Sequence, residues 1–141
     1  MRKIQFTIDI EASRQQVWDA LWNHDHYREW TAVFYPGSYY ESDLQPGSEI
    51  RFLSPGENGM YGVVEDVVPL HHAHFRHLGE VLAGEKQEAI YGEEAIEHYD
   101  LTEDNGRVSL TATLNITDEY LAHFSEIFPR ALQKVKEIAE Q

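Results

Sequence analysis

From Tyr120 to Ala139 the chain carries an apolar stripe: Tyr120, Leu121, Phe124, Ile127, Phe128, Ala131, Leu132, Val135, Ile138 and Ala139 recur at steps of three and four residues. That period places side chains on one face of an α-helix, and it persists for about six turns, enough to cover a whole sheet. Thr117 stands where an N-cap belongs, with Asp118 and Glu119 at the positive end of the helix. Pro129 removes one backbone donor inside the stripe, so a kink near Glu126 to Phe128, or two helices meeting there, is expected. So wide an apolar face has to be covered, and the rest of the chain must supply the cover.

The cover reads as antiparallel strands. Ile4, Phe6, Ile8 and Ile10 alternate with polar residues, the period of a strand with one buried face. Ser13 with Gln16 forms a capping-box signature that opens a short helix to Trp22, and Tyr27 and Trp30 lie one turn apart in a second helical piece. Turn signals at Pro36-Gly37 and Gln45-Pro46-Gly47 bracket a strand near Ser38 to Ser42. Further strands are expected at Glu49 to Leu53, Met60 to Val68, His72 to Val81, Ala95 to Glu103 and Arg107 to Ile116. The last two are joined by Asp104-Asn105-Gly106, in which Asn-Gly supplies the positive φ angles of a tight reversal. No repeat or linker divides the chain, so one α+β domain over residues 1–141 is expected.

Composition narrows the function classes. Twenty-five acidic against 11 basic residues give a formal charge of −14, which repels nucleic acid and anionic membrane surfaces. The chain has no cysteine, which removes disulfides, thiolate metal sites and cysteine nucleophiles and fits a cytoplasmic location. The alternating N-terminus is unlike a signal peptide, and no stretch reaches membrane-spanning length, so no membrane insertion is expected. Phosphate-binding glycine loops, nucleophile elbows and dinucleotide fingerprints are absent, and no cofactor is expected.

Ala12-Ser13 followed by Val17-Trp18-Asp19-Ala20-Leu21 and Trp30, then Leu44-Gln45-Pro46-Gly47-Ser48-Glu49-Ile50-Arg51-Phe52, then Gly62-Val63-Val64-Glu65-Asp66-Val67-Val68-Pro69 together carry a family likeness. In these motifs the chain resembles the START-like (SRPBCC) superfamily, in the branch similar to the activator of the heat-shock-protein-90 ATPase. Asp66 stands where glutamate is usual in that branch. The resemblance implies a helix-grip fold, a curved antiparallel sheet around a long C-terminal helix with two short helices after the first strand, and a cavity between them. It implies no single chemistry, since the superfamily includes lipid carriers, hormone receptors, polyketide cyclases and chaperone activators. The segment from Gly79 to Glu94 departs from the pattern, and is either a cavity lid or a longer hairpin with a frayed tip.

Within that frame the expected ligand-facing residues are Trp30, Phe34, Phe52, Tyr61, Phe75, His77, Glu97, Tyr99, Phe124 and Phe128, with Tyr61 on a strand of mixed parity. His77 shares the interior parity of Ala73 and Phe75, and would orient a ligand carbonyl or act as a general base. Glu97 has interior parity with Tyr99, with His77 or Arg51 as its partner. His72, His74 and Arg76 fall on the solvent face. A third ligand for this H-x-H pair would have to come from His98 or a carboxylate across the strands, and Arg76 beside them repels a cation, so no metal is expected. These residues favour a small hydrophobic or aromatic ligand, bound by a monomer or homodimer with weak catalysis or none. A cyclase or hydrolase using His77 is the enzymatic alternative, and an acidic surface docking on a chaperone is the interaction alternative.

Overall fold

The computed structural model describes residues 1–141. Its elements follow the expected order: β1 (Arg2–Ile10), α1 (Arg14–Trp22), α2 (His24–Thr31), β2 (Tyr39–Glu41), β3 (Glu49–Ser54), β4 (Asn58–Val68), β5 (His72–Leu82), β6 (Glu85–Lys86), β7 (Ile96–Asp104), β8 (Arg107–Ile116) and α3 (Asp118–Ala139). All paired strands are antiparallel, in the order β1-β8-β7-β5-β4-β3-β2, with β6 added beside β5. This is the helix-grip α+β fold, and α3 lies against β1, α1 and α2.

Local chemistry explains the boundaries. Ser13 accepts from the Gln16 amide at 3.1 Å while the Gln16 side chain accepts from the Ser13 amide at 2.9 Å, a complete capping box. Asn23 then ends α1 and caps α2, its side chain accepting from the Asp25 amide at 3.0 Å. Asn105 and Gly106 adopt φ of 54° and 77°, the left-handed pair that the β7–β8 hairpin requires. Between β4 and β5, register shifts at Tyr61/Gly62, where Leu78 of β5 is the extra residue, and at Val64/Asp66, where Glu65 of β4 is, mark bulges, which bend a strand and increase its twist. Gly62 sits at the first of them, where a Cβ would lie 2.2 Å from the Arg76 carbonyl oxygen, so no larger residue fits without moving backbone.

Three expectations are corrected. Thr117 is extended, but its side chain makes no capping hydrogen bond, so only Asp118 and Glu119 serve that helix end electrostatically. Pro129 does not divide the stripe into two helices: α3 is one element of 22 residues. The segment after Gly79 is not a frayed tip. Ala83 and Gly84, both at positive φ, close a tight turn, and β6 pairs back onto Val81 and Leu82. The return arm then follows β5 through Gln87 N–H to Glu80 O at 2.8 Å, Tyr91 N–H to Leu78 O at 3.1 Å, and Ala95 O, which accepts from His77 N–H at 2.7 Å.

The main core is Ile10, Val17, Leu21, Trp22, Trp30, Val64, Phe75, Tyr99 and Leu110, closed by the C-terminal half of α3. Along α3 burial is uneven. Phe128, Ala131, Leu132, Val135, Ile138 and Ala139 are buried, whereas Leu121, Phe124 and Ile127 are half covered and Tyr120 is 53% exposed. The helix therefore closes on the sheet at one end and stands away from it at the other.

Candidate functional site

Where α3 stands away, a hollow of about 620 Å³ remains between its N-terminal half, α2 and the inner face of the sheet. Its walls are mostly aromatic. Phe34 reaches from the chain after α2 to Phe128 at 5.1 Å between ring centroids and to Phe124 at 6.5 Å, and Phe128 stacks on Phe6 at 5.2 Å with the planes 3° apart. Trp30 lies against Tyr99 at 6.1 Å and donates its indole N–H to the Leu21 carbonyl at 3.0 Å. Phe52 approaches from β3, edge-on to His77 at 5.4 Å. Tyr120 and Met1, 53% and 61% exposed, stand on the rim.

One polar chain lies among these rings. Glu97 and Tyr99 are two apart on β7 and so share a face, and His77 lies just beyond the last β5–β7 pair, Arg76 with Ile96. The Tyr99 hydroxyl donates to Glu97 Oε2, and His77 Nε2 is 2.9 Å from Glu97 Oε1. Desolvation by itself favours the neutral acid at Glu97. The His77 hydrogen bond and charge, with the Tyr99 hydroxyl, outweigh it and hold the carboxyl below its ordinary range. Burial, with the nearby Glu97 charge, pushes the Tyr99 and Tyr27 phenols well above theirs, so both keep their protons. A carboxylate accepts only, so His77 donates from Nε2; its Nδ1 is buried and has no hydrogen-bond partner.

Eight of the ten residues singled out from sequence line the hollow: Trp30, Phe34, Phe52, His77, Glu97, Tyr99, Phe124 and Phe128. Two do not. Phe75 is on the inner side but fully covered, packed on Trp22 at 5.4 Å and Phe52 at 5.5 Å. Tyr61 opposes Arg51, one step out of phase with the Phe52–Met60 pair, which puts it on the other face beside Leu53 and Val81. Arg51 is on that outer face too and pairs with Glu49 at 3.1 Å, so His77, not Arg51, is the partner of Glu97. Sequence reasoning passed over Tyr27, Leu114, Tyr91 and His123, which also line the hollow. Tyr27 is legible from its three-residue step to Trp30, and Leu114 from the alternation of β8, whereas Tyr91 lies in an irregular arm without periodicity.

Comparison with known proteins follows the architecture. Residues 11–140 match the family described as Activator of Hsp90 ATPase homolog 1-like protein. No curated protein matches the chain at a significant level. Among solved structures, the Aha1 dimer from Colwellia psychrerythraea aligns with a TM-score of 0.74 at 20% identity, over 99% of this chain and 97% of that one. DynU16, a protein of the dynemicin biosynthetic locus, aligns at 0.73 and 14% identity over 99% of this chain, which spans 47% of DynU16. CalU16 from Micromonospora echinospora aligns at 0.68 and 16% identity, over 98% of this chain and 76% of its own. At these identities the common property is the fold. No helix is long and apolar enough to cross a membrane.

Proposed function

This chain belongs to the Activator of Hsp90 ATPase homolog 1-like family, and from that premise we propose that it is a receptor for a small, largely apolar molecule carrying one hydrogen-bond donor. The observation behind this reading is the Tyr99–Glu97–His77 chain set among aromatic walls, a few placed polar groups in an otherwise apolar concavity. With Nε2 donating to Glu97, a neutral His77 ring offers Nδ1 as an acceptor to a ligand hydroxyl or amine, whereas a ring carrying both protons offers it as a donor to the carbonyl expected from sequence. A planar aromatic body would satisfy the rings around it.

2-Naphthol is a suitable probe, and 2-methoxynaphthalene is its partner without a donor. Calorimetry is expected to give one site for 2-naphthol, with affinity about five-fold higher than for the methyl ether, corresponding to about 1 kcal/mol for one hydrogen bond. In His77→Phe the two compounds should bind alike. Absence of saturable binding by both would remove the receptor reading, and equal binding to the native protein would remove the donor requirement.

The same carboxylate–imidazole pair supports a second reading, in which His77 takes a proton from a bound substrate while Glu97 steadies the resulting imidazolium. This is cyclase- or hydrolase-type chemistry, and His77→Ala should abolish such turnover with the fold intact. We keep a homodimer and a chaperone partner as further proposals, on the dimeric Colwellia structure and the family's name.

A further inference from the structure

On the opposite face of the sheet, the geometry points to a divalent transition-metal site built by His72, His74 and Asp100, with Asp66 beside it. His72 and His74 are two apart on β5, so both leave the same face, and their rings stack with centroids 4.4 Å apart. Asp100 is opposite His72 across β7, and Asp66 is opposite His74 across β4. One ligand atom from each of His72, His74 and Asp100 lies within 4.8 Å of the others. Zinc ligands at about 2.1 Å in tetrahedral geometry stand about 3.4 Å apart, so side-chain rotations of partly exposed groups bring the three together.

The surroundings favour a cation. Sequence alone counted Arg76 against a metal and left the third ligand open. Asp100 now supplies that ligand, with an oxygen 2.8 Å from His74 Nε2. The Arg76 guanidinium is engaged by Glu65, Nε to Oε2 at 3.4 Å. Asp66 holds His72 Nε2 at 2.8 Å, and so supplies either a fourth ligand or the carboxylate that orients a ligating imidazole. His98 stacks on His74, with ring centroids 4.0 Å apart, and its Nε2 is 3.7 Å from Glu65 Oε1. The net charge of −14 raises the cation concentration around the whole molecule. Imidazole with carboxylate suits zinc, nickel or copper, whereas magnesium and calcium prefer all-oxygen sites.

The test is a titration of chelator-treated full-length protein with zinc chloride, followed by calorimetry and by the imidazole nitrogen signals in NMR. One zinc per chain is expected, with His72 and His74 ring signals moving while those of His24 and His26 stay, and with no response to magnesium. His74→Ala and Asp100→Asn should each weaken binding at least about ten-fold, the size of effect that even outer-shell changes produce at metal sites. His72→Gln, a milder surface change, serves should His74→Ala fail to fold, and His26→Ala should bind as the native protein does. Binding that persists at native strength in the folded His72 or His74 variant, or the absence of any saturable zinc site, overturns the proposal.

Discussion

Trp30→Ala is expected to lower the unfolding free energy by about 3–5 kcal/mol, the cost of emptying a buried aromatic site. Trp30 is 1% exposed and joins two regions, because its ring meets Tyr27 and Tyr99 on the core side and Phe34 on the side of the hollow. Its indole N–H also ties α2 back to the carbonyl of Leu21 in α1. Small domains have only about 5–15 kcal/mol in hand, so the variant should be partly unfolded at moderate urea. Trp30→Phe keeps most of the ring, and is expected to lose less than half as much. Urea unfolding followed by circular dichroism measures both, and a loss under about 1 kcal/mol for Trp30→Ala would show that the hinge between core and hollow is not packed as described.

Glu97→Ala is expected to cost about 3 kcal/mol at neutral pH, since it leaves the Tyr99 hydroxyl and the His77 N–H without an acceptor in a poorly solvated place. Glu97→Gln retains one acceptor and should cost less. The pH dependence has a definite sign. The folded carboxyl releases its proton more readily than the unfolded one, so its contribution is present above the ordinary carboxylate range and is lost as pH falls through the lowered folded value. The gap in stability between native protein and Glu97→Ala should thus be widest near pH 7 and narrow on acidification below about pH 4. Urea midpoints across that range measure the gap, and one that grows toward acid would mean that the carboxyl is held protonated instead.

The expected architecture was readable wherever one periodicity acted alone. The α3 stripe, the alternation in β1 and β8, the Ser13–Gln16 box and the Asn105-Gly106 turn each express a single local rule, and each appears where its rule places it. His77 and Glu97 were placed on the inner face by the same alternation. Failure came where an insertion shifted phase or where depth mattered. Glu65 is an extra residue in β4, so Tyr61 is out of phase with the inward-facing Val67, and one extra residue in a ladder leaves no compositional trace. Phe75 has the correct face, yet Trp22 and Phe52 cover it, and parity says nothing about what lies above a side chain. Asp66, His72, His74 and Asp100 meet only because β4, β5 and β7 are neighbours in one particular register, which is settled by the whole sheet.

The account rests on the separation between the N-terminal half of α3 and the sheet, and on the space there admitting a guest. The direct measurement is an isotope-filtered NOE experiment on labelled protein saturated with 2-naphthol. Cross-peaks from the naphthol ring to Phe34, Phe124 and Phe128, with the largest histidine shift at His77, are the predicted result. Cross-peaks confined to the outer surface, or none at a probe concentration of about 1 mM, where even a weak ligand should be bound, would contradict it.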